Sequence, residues 1–245
     1  MNERMLCIVA HPDDETMLTG GALAMLARGG VEVALLCATR GEGGETGGLP
    51  VETPEQLGVL REQELACAAA ALGIAAVHFL DYRDPSIGPD GRLFPYAADV
   101  AEVAGRIAEV IRQLRPDLLL THGSGGDYGH PAHALTHRAV LAAHERLREE
   151  GLRPDLYTFC AAIPGREDHL FNQADPADVV LDVTPWLPVK AEAAACHRSQ
   201  HPLFFRTHPE AASLTDVVRR TEGLHRVWTA DGADSRLTHH VSRIT

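Results

Sequence analysis

Residues 5–15 read Met-Leu-Cys-Ile-Val-Ala-His-Pro-Asp-Asp-Glu, six apolar residues followed at once by an imidazole, a proline and three carboxylates. The apolar half has the length of a strand buried on both faces. Thr16–Arg28 then carries apolar residues at helical spacing and stops at Gly29-Gly30, and Val31–Ala38 is a second apolar run. The rhythm repeats downstream. Leu57–Leu72 predicts a helix ended by Gly73, Ala75–Leu80 a strand, and Asp99–Leu114 a helix stopped before Pro116. Asp117–Thr121 predicts a strand and Pro131 to about Glu149 a helix. Leu156–Ala162 and Val179–Val183 read as strands, Pro185–Ser199 as a helix, and the tail is mixed. Alternating strands and helices imply an α/β fold, with a mostly parallel sheet and helices on both faces. With no internal repeat and no low-complexity linker, residues 1–245 are expected to form a single domain.

In such sheets the ligand crevice lies beyond the C-terminal strand ends, where the strand order reverses. The polar loops at 11–15, 39–48, 81–90 and 122–133 all follow strands and are expected to gather there. In the first, His11 and Asp14 offer nitrogen and oxygen ligands that suit zinc, and a cation would relieve the repulsion among Asp13, Asp14 and Glu15. The alternative is an acidic N-cap on the helix that follows. In the last, Tyr128-Gly129-His130-Pro131-Ala132-His133 opens a helix. His130 and His133 can share one face of its first turn, with Pro131 at the first helical position and His137 a turn further on. The alternative is a set of satisfied, partly buried histidines. Together the clusters supply two histidines and an aspartate, with one histidine to spare; three protein ligands with an open position is the arrangement of a catalytic zinc site.

Ala10–Glu15 and Tyr128–His133 resemble the two signature motifs of the PIG-L/LmbE deacetylases. The resemblance runs through Thr39–Gly44, Arg61-Glu62 with Glu64-Leu65, Arg83-Asp84, Lys190 and His197-Arg198-Ser199-Gln200, and so covers most of the chain. It implies a Rossmann-like, LmbE-like sheet and hydrolysis of the acetamide of an N-acetylglucosamine-type amino sugar or glycoside, the chemistry of deacetylases in mycothiol and bacillithiol synthesis. It implies His11, Asp14 and His133 as ligands of Zn2+, with Fe2+ an alternative. It implies Asp13 as general base, His130 as oxyanion stabiliser and Tyr128 as a mobile substrate contact. Glu45 (or Glu42), Arg61 and Asp84 fall where relatives bind sugar hydroxyls, and relatives are often homo-oligomers. One departure stands out: relatives carry aspartate where this chain has Ala132, so the protonation of His130 would depend on Asp127 or a water.

Other residues keep plainer readings. Arg61 reads equally as a solvated arginine, and Glu62 and Glu64 as first-turn acids favoured by the helix dipole. His197 and Gln200 could line the pocket or cap a helix; His239-His240 reads as a solvated tail, and Trp186 and Trp228 as packing. Rival functions fit less well. His122-Gly123-Ser124-Gly125-Gly126 lacks the first glycine of a nucleophile elbow. No GxGxxG follows the first strand and no GxxxxGK[ST] occurs anywhere, so a nucleotide-binding module is disfavoured. A non-catalytic metal-binding relative, or an amidase acting on a thiol conjugate, remains the alternative.

The partner the resemblance implies is a small-molecule amino sugar, and composition argues against two other classes. With 22 basic against 34 acidic residues, a net charge of −12, the chain argues against nucleic acid and anionic lipid. No stretch approaches the roughly 20 apolar residues of a membrane span. The first ten residues hold no long apolar segment, so no signal peptide and a cytoplasmic location are expected. The cysteines at 7, 37, 67, 160 and 196 form no CxxC pair and read as free thiols in a reducing compartment.

Overall fold

Strand β1 (Arg4–Val9) sends its side chains alternately into two apolar clusters. Met5, Cys7 and Val9 pack with Leu23 and Leu26 of α1 (Asp14–Arg28) and with Leu65 and Leu72 of α2 (Pro54–Leu72). Leu6 and Ile8 pack with Val103 and Ile107 of α3 (Val100–Leu114) and with Leu135 and Val140 of α4 (Pro131–Glu149). A strand covered on both faces must be apolar at every position, which is why residues 5–10 read as a continuous run. This computed structural model describes residues 3–230 and Leu237.

Five parallel strands carry the frame. β2 (Glu32–Thr39) and then β3 (Ala76–Tyr82) lie on one side of β1; β4 (Leu118–Thr121) and then β5 (Asp155–Thr158) lie on the other. A two-stranded parallel ladder, β6 (Ala161–Ala162) with β7 (Asn172–Pro176), stands apart. β8 (Val179–Asp182) and β9 (Thr221–Trp228) complete the seven-stranded sheet in antiparallel fashion, in the order β3-β2-β1-β4-β5-β9-β8. The strand order therefore reverses between β1 and β4, and the loops after these two strands are the ones with the acid and histidine clusters.

Several boundaries differ from expectation for identifiable reasons. α2 begins at Pro54, not Leu57, because Thr53 and Gln56 form a capping box, and Gly73 ends it at φ 79°. Glu62 and Glu64 consequently sit two turns or more into the helix and are not first-turn acids. Residues 156–162 are not one strand, since Cys160 at φ 54° breaks the run between β5 and β6. The helix expected over 185–199 is α5 (Leu187–Cys196), flanked by 3-10 turns at Thr184–Trp186 and Arg198–Gln200. The free-thiol reading fails for two cysteines: Cys67 and Cys196 form a disulfide between α2 and α5, with Cα atoms 5.7 Å apart. Cys7, Cys37 and Cys160 are free and buried. His239-His240 lie outside the described residues. Among the described residues no helix is long and apolar enough to cross a membrane.

A buried ion pair helps lock α1 to β9, one strand in from the sheet edge. α1 kinks at Thr19 (φ −149°, ψ 15°), where its hydrogen-bond ladder is interrupted. Glu222 of β9 accepts the N–H groups of Gly21 and Ala22 at 2.9 and 2.8 Å, and Lys190 of α5 donates to the same carboxylate at 2.6 Å. Both side chains are essentially excluded from water. Lys190→Met would leave Glu222 charged with only two amide donors. It is expected to cost about 3–5 kcal/mol of folding stability, read from the urea midpoint; an unchanged midpoint would show the pair to be dispensable.

Candidate active site

The loops after β1 and β4 bring His11, Asp14 and His133 together, with one ligand atom from each lying within 4.8 Å of the others. His133 Nε2 faces His11 Nδ1 at 3.3 Å and Asp14 Oδ1 at 3.3 Å. The far nitrogens decide the tautomers. His133 Nδ1 donates to Asp127 Oδ2 at 2.9 Å, and His11 Nε2 faces Asp84 Oδ1 at 3.3 Å. With those protons committed, the two inward nitrogens carry lone pairs aimed at one point beside a carboxylate. That convergence is repulsive unless a cation occupies it, and carboxylates behind the imidazoles are the usual support of metal-binding histidines. The donor set of two imidazoles and one carboxylate thus fits a divalent ion such as zinc.

Electrostatics agree. Burial opposes charging His11, yet Asp14 and Asp84 hold its pKa up at about 10; for His133, burial is likewise overcome by Asp14 and Asp127, which raise it to about 9. The acids demand a positive charge at this point, which a metal ion would supply in place of protons. Burial would raise the pKa of Asp127, but the neighbouring His122 and His133 push it far below the usual carboxylate range. His122 also lies near Asp127 and His133, but it is a brace. Its Nε2 accepts the Ala10 N–H at 3.0 Å and its Nδ1 donates to Asp127 at 2.7 Å, so neither nitrogen is free.

Asp13 stands next to this point with its backbone at φ 107°, ψ −28°, a left-handed conformation that side chains rarely adopt. It is the N-cap residue of α1, yet its side chain makes no capping bond. Its carboxylate instead accepts from Arg61 Nη2 at 3.2 Å. Its amide donates to Glu15 Oε2 at 3.0 Å, and Glu15 Oε1 is bonded to His197 Nε2 at 2.8 Å. The acid-rich run is therefore divided among a candidate ligand, a carboxylate paired with Arg61 and a backbone anchor. Burial lifts the Asp13 pKa to about 6, with Arg61 pulling the other way.

Arg61 is not solvated. It is 3% exposed and donates to the carbonyls of Pro12 and Gly41 as well as to Asp13. Gly41 adopts φ 69°, and a β-carbon there would lie 2.4 Å from the guanidinium, so only glycine fits. Arg61, which the resemblance already marked as a site residue, welds the 39–44 loop to the acid cluster through partners distant in the chain.

His130 is the N-cap of α4. Its Nδ1 accepts the Ala132 N–H at 3.1 Å, which leaves the proton on Nε2. Burial and the neighbouring His11 and His133 lower its pKa to about 3, which favours the neutral ring with its Nε2–H available to donate. The tautomer is thus set by a backbone amide and does not need an acid at position 132, whose alanine side chain is fully buried. Tyr128 is 47% exposed above the histidines. Glu64 holds the segment after α5 by accepting from Ser199 N and Oγ at 2.8 and 2.7 Å.

His11, Asp13, Asp14, Arg61, Asp84, His130, Tyr128 and Glu45 all line one cavity of about 210 Å³, and His133 lies buried beneath it. Asp84 faces His11, so one of its oxygens is committed. Glu45 lies at the mouth with its carboxylate held by Arg206 of α6 (His201–Thr207), whereas Glu42 is off the cavity and accepts from the amides of Arg40 and Asp84. Gln200 lines the wall and His197 does not. His137 braces the His122 carbonyl at 2.9 Å. Ser124 Oγ donates to Asp175 rather than to an imidazole, as no nucleophile would. Asn172 escaped sequence reading: its amide donates to Asp127 Oδ1 at 2.9 Å, while its oxygen accepts from the Gly125 and Asp127 amides. Nothing in its local sequence marks it, because it arrives from β7.

Comparison with known proteins points the same way. A family model described as "PIG-L: GlcNAc-PI de-N-acetylase" matches residues 6–144. A 1D-myo-inositol 2-acetamido-2-deoxy-alpha-D-glucopyranoside deacetylase of Mycobacterium sp. (strain JLS) is 35% identical over 228 residues, spanning 80% of this chain and 74% of the relative. Its counterpart from Saccharopolyspora erythraea is 32% identical over 240 residues, spanning 80% and 77%. Among solved structures, the N,N'-diacetylchitobiose deacetylase of Pyrococcus horikoshii superposes with a TM-score of 0.64 at 24% identity, covering 91% of this chain and 83% of that one. GalB, the 4-carboxy-2-hydroxymuconate hydratase of Pseudomonas putida KT2440, gives 0.65 at 24% identity, covering 93% and 97%. At that identity the two structures speak for the fold alone. The matched model spans both histidine clusters and the strands β2 to β4 between them, and the chain belongs to the PIG-L family of deacetylases.

Proposed function

We propose that the protein hydrolyses the acetamide of an N-acetylglucosamine-type glycoside, using zinc held by His11, Asp14 and His133. The observation that carries this reading is the convergence of the inward nitrogens of His11 and His133 beside Asp14, one residue from the Asp13 carboxylate that makes no capping bond. When bound, zinc supplies Lewis acidity, polarising a carbonyl and making water acidic at a pH of about 7. Asp13, with its pKa near 6, takes a proton from the attacking water as the water oxygen bonds to the acetamide carbon. His130 Nε2–H donates to the carbonyl oxygen as negative charge develops there. The C–N bond then breaks, and Asp13 passes its proton to the leaving nitrogen, so that acetate and a free amine result. Arg61 holds Asp13 in place, and Tyr128 closes over the sugar from the exposed side. The inositol glycoside named for the relatives is the first substrate to try.

The test is amine release from N-acetylglucosamine, its inositol glycoside and N,N'-diacetylchitobiose, with chelator and with zinc or iron(II) restored. Release that the chelator stops and zinc restores is expected. Failure of every sugar to react, with protein shown to contain metal, would set this reading aside in favour of a non-catalytic metal site.

A further inference from the structure

The cavity changes character between floor and mouth. Its floor is made by His11, Asp13, Asp14 and His130, while Pro85, Ile87, Leu93 and Phe94 from the loop before α3 and Leu203 from α6 form the rim. Scattered exposed apolar residues are ordinary on a protein surface. Here they are not scattered: of the six large apolar residues exposed among the described ones, Ile87, Phe94 and Tyr128 line this one cavity. Ile87 is 45% exposed and Phe94 is 37% exposed.

The charges at the mouth are already matched. Glu45 is held by both terminal nitrogens of Arg206. Arg61, the one arginine in the lining, is committed to Asp13 and two backbone carbonyls. Arg92 lies over the Phe94 ring, with 5.3 Å to the centroid, and does not line the cavity. A phosphate or carboxylate emerging at this rim would therefore be desolvated against apolar side chains, with no uncommitted arginine among the lining residues to pair with it.

We propose that the rim of Ile87, Leu93, Phe94 and Leu203 is the subsite for the aglycone, and that the preferred aglycone is uncharged and apolar, an aryl or alkyl group. This rests on the deacetylase reading. The acetamide is seated at the polar floor, and the group at the far end of the sugar emerges at the apolar rim. There it removes exposed side-chain surface from water, with Phe94 and Tyr128 available for ring contacts.

The experiment compares kcat/KM of the zinc-loaded enzyme for free N-acetylglucosamine and for its inositol, 4-nitrophenyl and octyl glycosides. It is run on the wild type and on an Ile87→Ser/Phe94→Ser double variant. The aryl and alkyl glycosides are expected to exceed both the free sugar and the inositol glycoside by about tenfold or more, and in the double variant that ratio is expected to fall towards unity. Because each ratio is taken within one protein, partial unfolding of the variant cannot imitate the result. Equal or better turnover of the inositol glycoside would overturn the apolar subsite while leaving the deacetylase standing. An aryl preference that survives in the double variant would overturn the assignment to this rim. No amine from any sugar would remove the deacetylase reading, and the subsite with it.

Discussion

Asp13→Asn is expected to lower kcat by about 10²–10⁴-fold while zinc content stays at the wild-type level. The replacement keeps an oxygen for Arg61 and tolerates the left-handed backbone, so the fold around it is preserved. What is lost is the capacity to take a proton from water. The cause is separable from metal loss because Asp13 is not among the three converging donors. Single-turnover amine release, paired with metal analysis of the same sample, is the measurement. Near-wild-type kcat would assign the base elsewhere.

His133→Ala is expected to abolish metal binding and to reduce turnover by about 10³-fold or more, the scale of losing several kcal/mol of Lewis-acid assistance. It also leaves Asp127 short of one imidazole donor. Asp127→Asn separates ligand from support: it removes the charge behind His133 while leaving all three ligand atoms present. That variant is expected to weaken zinc affinity by only about 10–100-fold, with activity recovered at high zinc. Competition with a chromogenic chelator reads both. If His133→Ala bound zinc as tightly as the wild type, the ion would belong at another position.

What could be read from the amino-acid order follows from how local each feature is. The two clusters announce themselves because Ala10–Glu15 and Tyr128–His133 each pack several chemically costly residues into six positions, and because strands β1 and β4 precede them. The parallel core was legible for the same reason, since strands buried on both faces are apolar throughout. What escaped depends on partners distant in the chain. The resemblance marked Arg61 as a site residue, but its bonds to Pro12, Gly41 and Asp13 reach across as many as 49 residues and were not legible. Asn172 reaches Asp127 from 45 residues away. Cys67 and Cys196 are 129 residues apart and meet only because α2 packs against α5. β9 was lost in a mixed tail because its Thr-Glu-Gly-Leu-His-Arg-Val-Trp run is polar where it pairs antiparallel near the sheet edge.

The left-handed backbone of Asp13 has a bearing on how the protein would respond to selection. At φ 107° a glycine would sit without strain, and replacing aspartate would also remove one of three crowded negative charges. Relief of that strain favours Asp13→Gly, but the same change takes away the carboxylate that the buried Arg61 guanidinium pairs with, and it discards the group assigned to proton transfer. A library screened for heat tolerance without an activity filter would weigh only the first two effects and be blind to the third. Here backbone strain, the anchoring of Arg61 and turnover are competing demands on a single residue.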